Sequence, residues 1–244
     1  MKRRLILFDV DGTLIKRGDP HHLGAMDYGV HSVFPEAKSA TVHDVDFDGK
    51  VDRLIAAEVL AQARISISPE DPALDPVFEH AGRYYREQWA GQPGGLEDLL
   101  PGVAGLIPYL AKDDEFALGV LTGGSRGVVV VNLERLGLVE SLPIGAFGNE
   151  VPDRPSLVPL ALERAAEYFG EVFEPEQVGI MGDTPADVHC AHVHGIPCLA
   201  VATGKYSEKE LRDAGAEAVF PDLADIPSVR EALLSLCFQN RMAD

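Results

Sequence analysis

Two hydrophobic patterns divide this chain, short continuous apolar runs and longer stretches with helical spacing. Short apolar runs bounded by turn residues are typical of strands that are buried on both faces of a sheet. The predicted strands cover residues 5–8, 116–121, 144–147, 178–181, 198–201 and 218–220. From residue 116 onward the runs alternate with helical patterns, which indicates a parallel sheet with helices packed on both faces.

Residues 17–97 carry only the helical pattern. Apolar residues recur with helical spacing at 23–34, 51–63 and 77–89, without a convincing strand, and Pro and Gly residues at 92–95 and 101–102 mark the end of this region. The sequence therefore predicts an α/β fold. Residues 1–16 and 98–244 would form a doubly wound, Rossmann-like parallel sheet, and residues 17–97 an inserted α-helical cap domain. A cap over the carboxyl edge of the sheet would exclude water from a site there.

Composition narrows the set of partners. The chain has 244 residues, 46% of them apolar, which is enough to bury a full core. A net charge of −18 argues against a sequence-independent grip on nucleic acid or on an anionic membrane, because both require clustered Lys and Arg. No apolar stretch is long enough to span a bilayer, and the run after residues 1–4 is interrupted by Asp9 and Asp11 before a signal-peptide core could form.

The cysteines add no further constraint. There are three of them, without the spacing of a zinc site and without the even number of a disulfide framework. We therefore expect a cytoplasmic protein that binds neither nucleic acid nor membrane. The oligomeric state is open, and a monomer is compatible with the sequence.

The first predicted strand runs directly into paired acids. Asp9 and Asp11 follow residues 5–8, with Gly12 as a turn just beyond them. Side chains two positions apart share one side of an extended segment, and the carboxyl ends of parallel strands are where open α/β sheets bind ligands. Two neighbouring carboxylates repel unless a cation lies between them or one stays protonated. Both conditions suit phosphoryl transfer.

Later strand ends supply complementary groups. The strand at 116–121 leads into Thr122 and Gly123, a hydroxyl and exposed backbone N–H groups that suit phosphate oxygens. The strand at 178–181 leads to Asp183, with Asp187 one helical turn further on. Three convergent carboxylates would be costly without a metal ion. Arg154 lies between these elements and precedes a predicted helix.

These segments together resemble the haloacid dehalogenase-like superfamily, specifically its capped phosphatases of the phosphoglycolate phosphatase type. The resemblance rests on three segments, Phe8-Asp9-Val10-Asp11-Gly12-Thr13, Leu121-Thr122-Gly123 and Gly182-Asp183-Thr184-Pro185-Ala186-Asp187. It spans nearly the whole chain. One departure is that family members usually have Lys where this chain offers Arg154, which keeps the charge but changes reach and geometry.

The resemblance implies an activity and a role for each matching residue. Asp9 would be the nucleophile that forms an aspartyl-phosphate, and Asp11 the general acid and base. Mg²⁺ would be bound by Asp9, the backbone carbonyl of Asp11 and Asp183, with Asp187 supporting that shell or orienting Arg154. The remaining implied contacts, to the phosphoryl group of a small phosphate ester, come from Thr122, Gly123 and Arg154.

The sequence also offers a candidate substrate contact in the cap and two alternative functions. Lys50, in a Gly-Lys-x-Asp segment similar to the start of a family cap helix, could bind a second anionic group of the substrate or simply be solvated. A phosphomutase shares the first motif and stays an alternative. A non-catalytic phosphate-binding or signalling module is the alternative from another class, although signalling receivers are about half this length and have no cap.

Overall fold

One parallel sheet forms the centre of the computed structural model, which describes residues 3–236. The strands are β1 (Arg4–Phe8), β2 (Phe116–Thr122), β3 (Ile144–Phe147), β4 (Val178–Gly182), β5 (Cys198–Val201) and β6 (Ala218–Phe220). Their order in the sheet is β3-β2-β1-β4-β5-β6, so β1 lies between β2 and β4. The six strand predictions and the α/β fold class are confirmed, with β1, β2 and β4 one residue longer than predicted.

Helices cover both faces of this sheet. Those of the sheet region are α4 (Val103–Ala111), α5 (Arg126–Arg135), α6 (Leu157–Phe169), α7 (Pro185–Val193), α8 (Glu208–Asp213) and α9 (Ile226–Leu236). Because side chains alternate along a strand, β1 contributes Leu5 and Leu7 to one apolar cluster and Ile6 and Phe8 to another. Both faces of β1 are therefore buried, which explains why its sequence is a continuous apolar run.

Residues 17–97, predicted as a cap domain, are helical. They contain α1 (Pro20–Val33), α2 (Asp52–Gln62), α3 (Asp75–Gln88) and short 3-10 turns, and no strand lies in these residues. An apolar cluster separate from the two sheet clusters lies among the three helices. We call residues 17–97 the cap. The chain enters and leaves it side by side, since Lys16 N donates to Asp98 O (3.0 Å) and Leu100 N to Leu14 O (3.0 Å).

The cap packs on the sheet region through α3 and α5. Gly82 and Gly127 lie where these helices meet, and a Cβ added at either would come within 2.9 Å of the other residue's Cα. Tyr85 is buried at the same contact. Among residues 3–236, no helix is both long and apolar enough to cross a membrane.

Candidate active site

Three buried carboxylates meet where β1 and β4 end. Asp9 follows β1 and donates its backbone N–H to Met181 O (2.8 Å), which aligns the two strand ends. Asp183 follows β4, and Asp187 lies in the first turn of α7. Oxygen atoms of Asp9, Asp183 and Asp187 all lie within 4.8 Å of one another. Adjacent parallel strands place their carboxyl ends at one edge, so the convergence follows from the sheet order.

Arg154 lies between two of these acids. Its Nη2 donates to Asp9 Oδ1 (2.9 Å) and also to Asp187 Oδ1, and the guanidinium is buried. Burial and the neighbouring Asp187 carboxylate raise the pKa of Asp9 well above its ordinary value, and the positive charge of Arg154 only partly counteracts them. The structure thus places Arg154 in contact with Asp9, which precedes it in the sequence, and with Asp187, which follows it.

Asp187 is held in place by the start of its own helix. Its Oδ2 accepts hydrogen bonds from the backbone N (3.0 Å) and Oγ1 (2.8 Å) of Thr184, a reciprocal capping arrangement at the N-terminus of α7. The other oxygen is therefore free to meet Arg154. Of the two roles expected for Asp187, the orientation of Arg154 is the one that these contacts fit.

Asp183 has an unsatisfied oxygen. Its Oδ1 accepts a long hydrogen bond from Thr13 Oγ1 (3.3 Å), whereas its Oδ2 is buried without a hydrogen-bond partner. Gly12 and Gly204 enclose this carboxylate so closely that a Cβ at either position would collide with Oδ2. Burial, followed by the Asp187 charge, raises the pKa of Asp183 to about 7.

The acidic cluster fits a divalent cation. Three carboxylates face one guanidinium, so the buried charges do not balance, and one carboxylate oxygen has no protein partner. Hard oxygen donors of this kind suit Mg²⁺ or Ca²⁺. The structure brings together the carboxylates of Asp9 and Asp183 and adds the Asp187 carboxylate. The side chain of Asp11 lies outside this cluster, and its backbone carbonyl, the predicted ligand, stays a prediction.

Asp11 instead faces the cavity between the sheet and the cap. Its side chain is 28% exposed, and its Oδ2 lies 3.8 Å from Nδ1 of His22 on cap helix α1. Gly12, the next residue, has a φ of 99°, a left-handed conformation that favours glycine. Both acids line the cavity, but Asp9 is buried beside Arg154 whereas Asp11 is partly exposed.

The loop after β2 lines the same cavity as Asp9 and Asp11. Thr122 is the last residue of β2 and is buried, and its Oγ1 accepts a hydrogen bond from Gly124 N (3.3 Å). A Cβ at Gly123 would lie 3.0 Å from Nη1 of Arg154 and would collide with the backbone oxygen of Lys50. Gly123 is therefore the residue that lets the cap segment, the loop and the guanidinium approach one another. The three predicted phosphate-binding residues, Thr122, Gly123 and Arg154, all line the cavity.

Lys50 also lines this cavity, but its charge is engaged. Its Nζ donates to both carboxylate oxygens of Glu58, at 2.8 and 2.7 Å. The cavity has a volume of about 160 Å³, with strand-end residues on one side and cap residues on the other. The predicted contact of Lys50 with an anionic part of a substrate stays a prediction.

Sequence reasoning missed the residues that dock α2 beside the loop. The Oδ2 of Asp52 is a buried acceptor for Ser125 N (2.7 Å), and Asp52 N donates to Gly123 O (2.8 Å). Arg53 N donates to Gly148 O (3.1 Å). An acid in the first turn of a helix is a common N-terminal feature, so only the Gly-Lys-x-Asp spacing hinted at a special position.

Comparisons with known proteins agree with this geometry. Residues 155–226 match the model of the HAD-hydrolase-like family. A phosphoglycolate phosphatase of Rhodospirillum rubrum is 26% identical over 226 residues, covering 91% of this chain and 89% of the relative. Another, of Pasteurella multocida, is 27% identical over 235 residues, covering 93% of this chain and 98% of the relative. A crystal structure of a predicted phosphoglycolate phosphatase from Haemophilus somnus shares the fold, with a TM-score of 0.59, 20% identity, and coverage of 94% of this chain and 99% of that one.

Proposed function

We propose that this chain, a haloacid dehalogenase-like hydrolase, is a Mg²⁺-dependent phosphatase of small phosphomonoesters. The observation that carries the proposal is the placement of Asp9 in the cavity, beside the buried Arg154 and the acidic cluster with its unsatisfied Asp183 oxygen. Such a site offers a nucleophile, a fixed cation and room for a metal ion next to one another. The names of the relatives, phosphoglycolate phosphatases, point to the same reaction class.

In the first step, a carboxylate oxygen of Asp9 would attack phosphorus and the bond from phosphorus to the alcohol oxygen would break. Asp11, which faces the cavity, would give its proton to the departing alkoxide. Arg154 is held on Asp9, so its guanidinium would neutralise charge on the transferring group without further reorganisation. The product of this step is an aspartyl-phosphate on Asp9 and a free alcohol.

In the second step, Asp11, now ionised, would take a proton from a water molecule as that water attacks the aspartyl-phosphate. The bond from phosphorus to the Asp9 oxygen would break, releasing inorganic phosphate and restoring both acids. Thr122 and the N–H of Gly123 would hold the phosphoryl oxygens throughout. Mg²⁺ bound by Asp9, Asp183 and the Asp11 carbonyl would supply charge neutralisation at the phosphoryl group.

The test is release of inorganic phosphate from a panel of small phosphate esters with Mg²⁺ present. Asp9→Asn, purified in parallel, is the matched control, because it removes the nucleophile and keeps an acceptor for Arg154. We expect turnover by the wild-type chain and less than about 1% of it by Asp9→Asn, in line with the large losses on removing a nucleophile. Equal activity of the two proteins, in samples free of contaminating phosphatase, would contradict the covalent mechanism. Turnover that requires a bisphosphate activator would instead indicate the phosphomutase.

A further inference from the structure

The cap side of the cavity carries positive charges that are already neutralised. Within residues 17–97, the lysine and arginine side chains that line the cavity are Lys50 and Arg17. Lys50 is bound by both oxygens of Glu58, and Arg17 Nη1 donates to Asp48 Oδ1 (3.2 Å). Lys50 and Arg17 thus each have a carboxylate partner from the cap itself.

The Lys50–Glu58 pair is built into the start of α2. Glu58 lies within the helix, Lys50 precedes it, and their side chains are 28% and 36% exposed. Just after Lys50, the helix is fastened to the sheet region through Asp52 and Arg53. Lys50 therefore starts from a backbone that the core holds in place, and its ammonium points to Glu58 rather than standing alone in the cavity.

The rest of the cap wall is mainly apolar or acidic, and its one histidine, His22, lies 3.8 Å from the carboxylate of Asp11. Asp19 and Asp52 add carboxylates to it, so a second negative charge on a ligand would meet repulsion as well as desolvation. The apolar side chains that line this wall are Leu23, Met26, Val42, Phe47, Ile55 and Ala81. A carbon-rich group without charge would replace water on this surface favourably.

From this arrangement we infer that the substrate is the phosphate ester of an uncharged alcohol that presents apolar carbon to the cap, and that Glu58 sets this preference by neutralising Lys50. The inference rests on the proposed phosphatase function. Glu58 then has a role in specificity, because its carboxylate binds the Lys50 ammonium that the anionic group of a substrate would otherwise bind. Phosphoglycolate, whose alcohol part carries a carboxylate, would then be a poor substrate of this chain.

The test compares two isosteric esters, phosphoglycolate and phosphoglycolamide, with butyl phosphate as an apolar reference. We expect wild-type kcat/KM to be at least tenfold higher for the amide and for butyl phosphate than for phosphoglycolate. Glu58→Gln releases Lys50, so the ratio of phosphoglycolate to phosphoglycolamide should rise by about tenfold, the order expected for one partly exposed charge. Glu79→Gln removes a charge from an exposed position of α3 outside the cavity and should change that ratio by less than twofold.

The outcomes separate this inference from the function on which it rests. If none of a broad panel of phosphate esters is hydrolysed, the proposed phosphatase function fails. If esters are hydrolysed but wild type prefers phosphoglycolate over its amide, the inference is overturned and Lys50 must leave Glu58 for the substrate. An unchanged ratio in Glu58→Gln, with wild type preferring the amide, would overturn the role of Glu58.

Discussion

Arg154 is the residue at which this chain departs from the pattern of the superfamily it resembles, and the structure gives its charge a defined setting. Its guanidinium bridges Asp9 and Asp187 in a buried position. Two lysines that would be alternative cations for this role are paired with other acids, Lys50 with Glu58 and Lys205 with Asp48. One nitrogen, Nη2, donates to both carboxylates. The planar guanidinium holds this arrangement more rigidly than a freely rotating ammonium would.

We therefore expect Arg154→Ala to lower kcat/KM by a factor on the order of 10² or more, because a preorganised charge contact is lost. Removing the cation also leaves buried acids uncompensated, at a cost of about 3–5 kcal/mol of unfolding free energy. Arg154→Lys should recover a substantial part of both losses. Steady-state kinetics at saturating Mg²⁺ and urea unfolding, measured on the same samples, distinguish a catalytic from a structural effect.

Arg126→Ala is the control, since Arg126 is exposed, forms an ion pair with Glu150 and does not line the cavity. Kinetics of Arg154→Ala within threefold of wild type would contradict the assignment. Such a result would indicate that Lys50 or Lys205 supplies the cation instead.

The effect of replacing Asp11 should depend on the leaving group of the ester. If Asp11 protonates the departing oxygen, Asp11→Asn should slow the first chemical step about 10²- to 10⁴-fold for an alkyl phosphate. The loss should be much smaller for p-nitrophenyl phosphate, because nitrophenolate departs without a proton. Single-turnover kinetics are needed, since Asp11 also acts in the second step. Equal losses for the two esters would show that Asp11 has another role.

At the scale of whole elements, the structure shows how α2 is attached to the sheet region, which the sequence did not predict. The backbone of Asp52 and Arg53 bonds to the loops after β2 and β3, and the Asp52 carboxylate caps Ser125 N at 2.7 Å. Burial raises the pKa of Asp52, so its ionised form costs stability once the pH exceeds the ordinary carboxyl range. The helix thus holds a cap element against the loop that carries Thr122 and Gly123.

Asp52→Ala should destabilise the protein by about 1–3 kcal/mol, because it leaves the buried N–H of Ser125 without an acceptor. Distortion of the same loop should lower kcat/KM about tenfold. Asp52→Asn keeps an oxygen acceptor and avoids the buried charge, so it should stay within about threefold of wild type in kcat/KM. Thermal unfolding and kinetics on one ester measure both effects.

Asp71→Ala serves as the control, since Asp71 accepts a comparable amide hydrogen bond from Ala73 (2.9 Å) and does not line the cavity. It should lower stability and leave kcat/KM unchanged. Equal kinetic losses in Asp52→Ala and Asp52→Asn would show that the charge of Asp52, rather than its acceptor, is what matters.

The strands and the meeting of Asp9 with Asp183 could be predicted because both follow from one-dimensional patterns. Doubly buried strands are continuous apolar runs, and parallel strands end at one edge of the sheet. The docking of Asp52 on Ser125 and the pairing of Lys50 with Glu58 could not. These contacts depend on how the cap sits on the sheet and which rotamer each side chain adopts, and neither is encoded in local spacing.

At the scale of the whole molecule, the net charge of −18 means that acids already repel one another before the site is considered. Three of them converge at the end of β1 and β4, with Arg154 as the cation in contact. A divalent ion that binds the folded chain at this cluster, and not the unfolded chain, must stabilise the fold by mass action. Simple screening by salt would also stabilise so acidic a protein, so the two effects have to be separated.

We expect Mg²⁺ at about 100 times its dissociation constant to stabilise the wild-type chain by about 2.7 kcal/mol, which is roughly 5–10 °C in Tm for a chain of this size. NaCl at matched ionic strength should shift Tm far less, because it screens charge without binding the cluster. Asp183→Asn removes the carboxylate whose oxygen lacks a partner, so its Mg²⁺ shift should fall to the NaCl value. Asp113→Asn, which alters an acid paired with Arg230 far from the cluster in sequence, should retain the full Mg²⁺ shift. Equal shifts from Mg²⁺ and NaCl in wild type, or an undiminished Mg²⁺ shift in Asp183→Asn, would show that the cluster is not the metal site.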